Sequence, residues 1–329
     1  MTGYRYRALL QRFHIDEAAL FEPKLSYSSI PDAAKAYLQH DNPRLNELLR
    51  RYKALDYPML AHSQWTDDYV TGDIDLRAFR GDQAYVWQLR SLNTEINYYV
   101  TLNYLRKTAG QVLERLSEDG LFSSHTLTIG EYTVSRDLLD SANEIRFLEE
   151  ALGLSDRTDF NVLDIGAGYG RLAHRLSEAL PPFGKILCVD AIAVSTFLSE
   201  FYLRFRGADD RASVIALDEL ETVLSNNQVD LAINIHSFSE CSLTAIAGWI
   251  DLLARHKVRY LFIVPNYRPG TGGTALWSTE STKFGPRSYN YLPQLDARGY
   301  RLIRHAPKYD DEFVQLYGVS PTEYYLFEL

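Results

Sequence analysis

The residues that could do chemistry begin in the stretch NVLDIGAGYGRL, 161–172, where an apolar run ends in Asp164 and then breaks into Gly166, Gly168 and Gly170. Glycines at a strand-to-helix turn let the backbone approach a ligand closely, and the first amides of the helix have no partners of their own. A turn of this kind holds a nucleotide. Two cofactor classes compete for it. A dinucleotide fingerprint needs G-x-G-x-x-G, whereas the spacing here is G-x-G-x-G and Arg171 stands at the sixth position. Asp164 discriminates further. A carboxylate directly before the turn repels a pyrophosphate but suits an ammonium, such as an amino-acid tail.

The elements that must position this turn follow from periodicity. The chain divides near residue 135. Before it, helical spacing dominates: Leu102, Leu105, Ala109, Val112, Leu113 and Leu116 share one face, and 32–55 reads as two short helices interrupted at Asn42-Pro43. LTIGEYTVSR reads as a small hairpin with Gly130 in its turn. Ser141 and Glu144 form an S-x-x-E capping box for a helix that Gly153 would end. Strands are then predicted at 161–165, 185–190, 213–217, 229–235, 259–264, 300–305 and 323–328. Seven strands with intervening helices mean an α/β sheet, mostly parallel. Only the loop PKYDDEFVQLYGVSPT separates the last two, so an antiparallel pairing is expected at that end of the sheet.

VLDIGAGYGRL resembles the first motif of class I S-adenosylmethionine-dependent methyltransferases, and the likeness covers roughly 140–329, including the strand count and the antiparallel end. More narrowly, DLLDSANEIRFLEE and DLAINIHSFSE resemble segments of the sugar O-methyltransferases of bacterial natural-product pathways. The resemblance implies an α/β, Rossmann-like, seven-stranded, mostly parallel sheet with an antiparallel last strand. Residues 136–329 would be the S-adenosylmethionine-binding methyltransferase domain. Residues 1–135 would be a mainly helical N-terminal domain that covers the acceptor or forms a dimer interface.

The resemblance also implies roles. Asp164, Gly166, Ala167 and Gly168 would cradle the methionine moiety, with Gly170 closing the turn. Asp190, 26 positions after Asp164, would accept from both ribose hydroxyls, since a carboxylate has two acceptor oxygens; Ala191 would lie beside it. Asp218 would receive the adenine amino group, with Glu219 as the rival acid. Asn234 in the fourth strand completes the cofactor set.

That strand delivers His236-Ser237-Phe238-Ser239-Glu240 toward the reacting methyl, because ligands of open α/β sheets bind beyond the carboxyl ends of the strands. Enzymes that methylate nucleic-acid amino groups usually carry an acid or Asn followed by Pro-Pro-aromatic here. Asn234-Ile235-His236-Ser237 departs from that pattern and counts against base methylation. An alcohol needs a base, a histidine suits that near neutral pH, and a positioned base contributes about 10²–10⁴-fold. His236 is the expected base, and Glu240 would orient it or bind substrate hydroxyls; the competing reading has His236 cap the following helix or pack against the cofactor. Glu95 and His125 are further candidate bases that no spacing supports. The loop 265–280, rich in Gly and Pro, would form an acceptor wall through Tyr267, Arg268 and Trp277, the last stacking on a sugar ring.

Composition sets the remaining bounds. With 329 residues, 46% hydrophobic and 23% charged, the chain can build a sizeable core. A net charge of −9 argues against a large nucleic-acid footprint. No apolar run of ~18 residues marks a membrane span, no secretory leader is visible, and two cysteines in apolar settings fit a reduced, cytoplasmic protein. No His/Asp/Glu cluster has metal-ligand spacing, so no metal is expected. The alternatives are methylation of an amino group or of a non-sugar natural product, and a non-catalytic S-adenosylmethionine-binding protein. A dinucleotide oxidoreductase is disfavoured by Arg171 and Asp164.

Overall fold

The computed structural model of the chain describes residues 30–61, 65, 74–81, 95–266, 276–282 and 285–329. The described chain opens with α1 (Asp32–Tyr37) and α2 (Pro43–Lys53). Asn42 caps α2 by accepting from the Arg44 amide, and Pro43 occupies the first helical position, where its missing N–H is no loss. Next come α3 (Glu95–Thr108) and α4 (Gly110–Leu113), then the hairpin β1 (Thr126–Ile129) and β2 (Tyr132–Ser135), with Gly130 at positive φ in its turn.

The helix α5 (Arg136–Leu152) starts earlier than the S-x-x-E pattern suggests. Its cap is Ser135, the last residue of β2, which accepts from the Leu138 amide at 3.1 Å. Ser141 and Glu144 lie in the helix interior, and both accept from Arg171. Gly153 does end the helix, in the left-handed conformation.

From here strands and helices alternate: β3 (Val162–Ile165), α6 (Arg171–Ala179), β4 (Ile186–Val189), α7 (Ala193–Phe205), β5 (Ala212–Ile215), α8 (Leu220–Asn226), β6 (Leu231–Ile235), α9 (Leu243–Arg255), β7 (Tyr260–Val264). A short ribbon, β8 (Glu280–Thr282) and β9 (Gly285–Arg287), and α10 (Leu292–Asp296) precede β10 (Arg301–Pro307), α11 (Glu312–Tyr317) and β11 (Glu323–Glu328). All seven strands read from the sequence join one sheet of order β10-β11-β7-β6-β3-β4-β5. The last strand inserts antiparallel between β7 and β10; the other pairings are parallel.

Alternation along each strand divides the core. Leu163, Ile165, Leu187 and Val189 face a layer built on α7 and α9, which the first helices share through Leu45 and Leu48. Val162, Ile186, Leu231 and Ile233 face α5 and α6. Burying such a side chain contributes roughly 1.5–3 kcal/mol, so both faces hold the sheet firmly. The chain reverses its winding between β3 and β6, and the crevice beyond their carboxyl ends is where an open α/β sheet takes its ligand.

Candidate functional site

Two turns meet at this crevice. After β3 the backbone passes through positive φ at Gly166 (70°), Gly168 (58°) and Gly170 (83°). After β6 it turns at His236, whose φ of 66° and ψ of −33° are rare for a residue with a side chain. The turns pack so closely that a β-carbon on Gly166 would lie 2.7 Å from Cβ of Ser237. Asn234 stitches them together: its amide donates to the Ile165 carbonyl (3.0 Å) and to Ser237 Oγ, and its oxygen accepts from the Phe238 amide. Asn234 is fully buried. Its hydrogen bonds go to the two turns and fix them against one another.

Asp190 sits at the centre. One oxygen accepts from the Gly168 amide at 2.9 Å and the other from the Ile192 amide at 2.8 Å. Ala191 is buried beside it and Ala167 is half-buried in the glycine turn. Asp164 points to the α5–α6 side, where no described residue hydrogen-bonds its carboxylate; Arg171, the cation that acts on it, is tied to Glu144. Burial pushes Asp164 up to about 7, helped by Glu144 and Asp190. Burial likewise pushes Asp190 up to about 7 against its amide partners.

Glu240 belongs to this acidic group and not to His236. Its oxygens accept from the Trp65 indole (2.8 Å) and the Asn266 amide (3.1 Å), and its charge acts on Asp190. The orienting role expected for Glu240 is therefore absent from the geometry. The His236 side chain makes no capping hydrogen bond, and its buried Nδ1 has no partner. Burial, and next the charge of Arg136, push the imidazole down to about 3.

Asp218 lies beyond β5, gripped by Arg51 of α2 at 2.7 and 2.6 Å; the same guanidinium also takes Glu219. The neighbouring Tyr52 was not foreseen. Its hydroxyl accepts from the Leu217 amide at 2.9 Å, donates to the Asp190 carbonyl at 3.3 Å and shares a hydrogen bond with Thr196. Burial raises it to about 12. In the sequence Tyr52 continues the apolar face of Leu45 and Leu48, so it reads only as core.

Trp277 is half-buried and its buried indole N–H has no partner. Tyr267 and Arg268 lie outside the described residues. His125 packs edge-on against Tyr98, 6.2 Å between rings, within reach of the charge of Glu95. Among the described residues no group of three His, Cys, Asp or Glu could hold a metal ion, and no helix is long and apolar enough to cross a membrane. Cys188 and Cys241 are buried and unpaired.

No protein-family model and no curated protein matches the chain. Among solved structures it is similar to magnesium protoporphyrin IX methyltransferase from Synechocystis PCC 6803 with bound S-adenosylmethionine, at 13% identity over 72% of this chain and 99% of that one, TM-score 0.40. It is similar to the glycopeptide N-methyltransferase MtfA at 14% identity over 59% and 97%, TM-score 0.42, and to the [4+2]-cyclase SpnF at 13% over 72% and 97%, TM-score 0.41. Likeness at this level carries no inference about the chemistry of this chain.

Proposed function

We propose that the chain is an S-adenosylmethionine-dependent O-methyltransferase acting on a hydroxyl of a sugar or glycosylated small molecule. One observation carries the cofactor part. Asp164, Asp190 and Glu240 converge at the switch point, and none is paired with a cation. Buried carboxylates without counter-charge are costly and protonate instead. A ligand that brings both positive charge and ribose hydroxyls fits this group, and a pyrophosphate does not.

When bound, S-adenosylmethionine supplies a methyl group on an electrophilic sulfonium. The chain does the rest. Asp164 takes the ammonium. Asp190 keeps a lone pair on each oxygen after its two amide bonds and takes the ribose hydroxyls. Gly166 leaves room at the turn. His236 is the proposed acceptor of the hydroxyl proton; burial holds the free imidazole down to about 3, so this role requires the bound acceptor to raise its basicity. Trp277, with an unpartnered indole N–H, offers the acceptor a ring face and a donor. The sugar assignment rests on the sequence resemblance and on this tryptophan.

The test incubates purified chain with S-adenosylmethionine and a panel of free sugars, nucleotide sugars and glycosylated natural products. S-adenosylhomocysteine release and a methyl mass gain on one acceptor are expected together. Absence of any calorimetric S-adenosylmethionine binding sinks the proposal.

A further inference from the structure

We infer that Tyr52 of α2 is a positioning residue for the adenosine end of the cofactor: its hydroxyl fixes the turn after β4 against the turn after β5, and the adenosine is held by these two turns. The identity of the ligand rests on the methyltransferase reading; the bridge between the turns rests on the residues themselves.

The ladder between β4 and β5 runs as far as Val189 and Ile215, its last partners. Beyond that pair one chain enters the turn that carries Asp190, and the other enters the turn that carries Leu217 and Asp218. Tyr52 joins them where the ladder stops. Its oxygen lies 2.9 Å from the Leu217 amide nitrogen, 3.3 Å from the Asp190 carbonyl oxygen and 2.8 Å from Oγ1 of Thr196, on α7. One buried hydroxyl is therefore bonded to both turns and to the helix that follows the first of them. Leu217 is fully buried, so without this hydroxyl its amide would be a donor cut off from water.

The helix that delivers Tyr52 is anchored independently of the bridge. Leu45 and Leu48, on the same face, are buried in the core. Arg44 grips Glu200 of α7 at 3.0 and 2.6 Å, and Arg51 grips Asp218 at 2.7 and 2.6 Å. A phenylalanine at position 52 would keep the ring and the helix and remove only the bridge.

The link to the ligand runs through Asp190. Its carbonyl meets Tyr52, while its carboxylate, held by the Gly168 and Ile192 amides, is the proposed ribose acceptor. Asp218, the acid expected to face the adenine, directly follows Leu217. Groups held in place before a ligand arrives bind it more tightly, because less order has to be imposed on binding. With the bridge gone, the two turns can shift against one another and adenosine has to reorder them.

The experiment measures, by calorimetry on the full chain, binding of S-adenosylmethionine, S-adenosylhomocysteine and 5′-methylthioadenosine, which share the adenosine. Tyr52→Phe is expected to weaken each by the same factor, roughly 5- to 30-fold. Thr196→Val, which removes only one partner of the hydroxyl, should weaken them by roughly 3-fold, and the double variant should bind no worse than Tyr52→Phe alone. Tyr300→Phe is the control. The Tyr300 hydroxyl is also buried and donates to the Val258 carbonyl at 2.8 Å, but at the opposite end of the sheet, before β7. Its loss should lower the denaturation midpoint and leave the affinities unchanged. Affinities in Tyr52→Phe within about twofold of the parent, or an equal loss in Tyr300→Phe, overturn the inference. If Tyr52→Phe does not fold, undiminished affinity in Thr196→Val overturns it instead. A parent chain that binds none of these ligands removes the methyltransferase reading and the positioning role with it. One that binds them but is indifferent to Tyr52→Phe loses the positioning role alone.

Discussion

The carboxylate of Asp190 accepts from the amide of Gly168 at 2.9 Å, and this bond ties the turn after β3 to the turn after β4. The same carboxylate is the proposed ribose acceptor, so one residue both shapes the turn and holds the ligand. Asp190→Ala removes both. Losing two charge-assisted hydrogen bonds predicts a fall in S-adenosylmethionine affinity of roughly 100-fold by calorimetry. An affinity within about twofold of the parent chain removes the ribose assignment.

The acidic group also predicts a pH effect. Asp164 and Asp190 stand at about 7 in the folded chain, above the ~4 of an unfolded carboxylate. Raised folded values mean that the folded chain binds the extra protons. Their contribution to stability is therefore full below ~pH 4 and is lost as pH rises through 7. A cationic ligand expels those protons. S-adenosylmethionine affinity should weaken between pH 8 and 6, by up to about tenfold per unit for each carboxylate. Calorimetry in buffers of different ionisation enthalpy should count the protons released. A flat, buffer-independent profile would separate these carboxylates from the ligand.

The pattern in the sequence was legible wherever it is local. Alternation in VLDI and VDLAINI placed the strands, and Gly166, Gly168 and Gly170 marked the turn. Ser141 and Glu144 misled because S-x-x-E also occurs inside a helix, where here it binds Arg171; the true cap, Ser135, is hidden at the end of a strand. Partnerships across the fold were not legible. Arg51 lies 167 residues from Asp218, and Trp65 lies 175 from Glu240. Nothing in the spacing of either acid announces its partner, so both looked free for ligand.

Gly166 tests the contact between the two turns. Its φ of 70° disfavours a side chain, and a β-carbon would strike Ser237. Gly166→Ala should destabilise the chain by about 2 kcal/mol or more, read as a lower denaturation midpoint. Adding Ser237→Gly removes the clash but not the backbone strain, so roughly half should return. Additive losses in the double variant would mean that the turns do not press on one another.

Asp137 braces the same turn from behind. It accepts from Arg80 (2.9 Å), Arg175 (3.1 Å) and the Tyr169 hydroxyl (2.7 Å), the last residue lying between Gly168 and Gly170. All are buried. Asp137→Ala would leave Arg80 and Arg175 sharing Glu118 as their buried counter-charge. Breaking such a network costs about 3–5 kcal/mol, a fall in melting temperature of roughly 10 °C. A shift of under about 1 kcal/mol would mean that water enters and replaces the carboxylate.

His236 allows its chemical and structural roles to be separated. A φ of 66° with a ψ of −33° costs a side-chain-bearing residue about 1–3 kcal/mol, a strain that glycine does not feel. His236→Gly should therefore leave the melting temperature unchanged or raise it. Cofactor affinity should hold, since the cofactor carboxylates lie elsewhere. Methyl transfer should fall by about 10²–10⁴-fold if the imidazole is the base. The pH profile adds a second reading. With the imidazole near 3 in the free chain, kcat/KM should show no limb at the ordinary histidine value of ~6.5. Its acid limb should lie near 7, where Asp164 and Asp190 titrate, and should remain in the residual activity of His236→Gly. Near-parental turnover in that variant would show that His236 is not the base. A more stable but inactive protein would show that the backbone tolerates its strain for the sake of the imidazole.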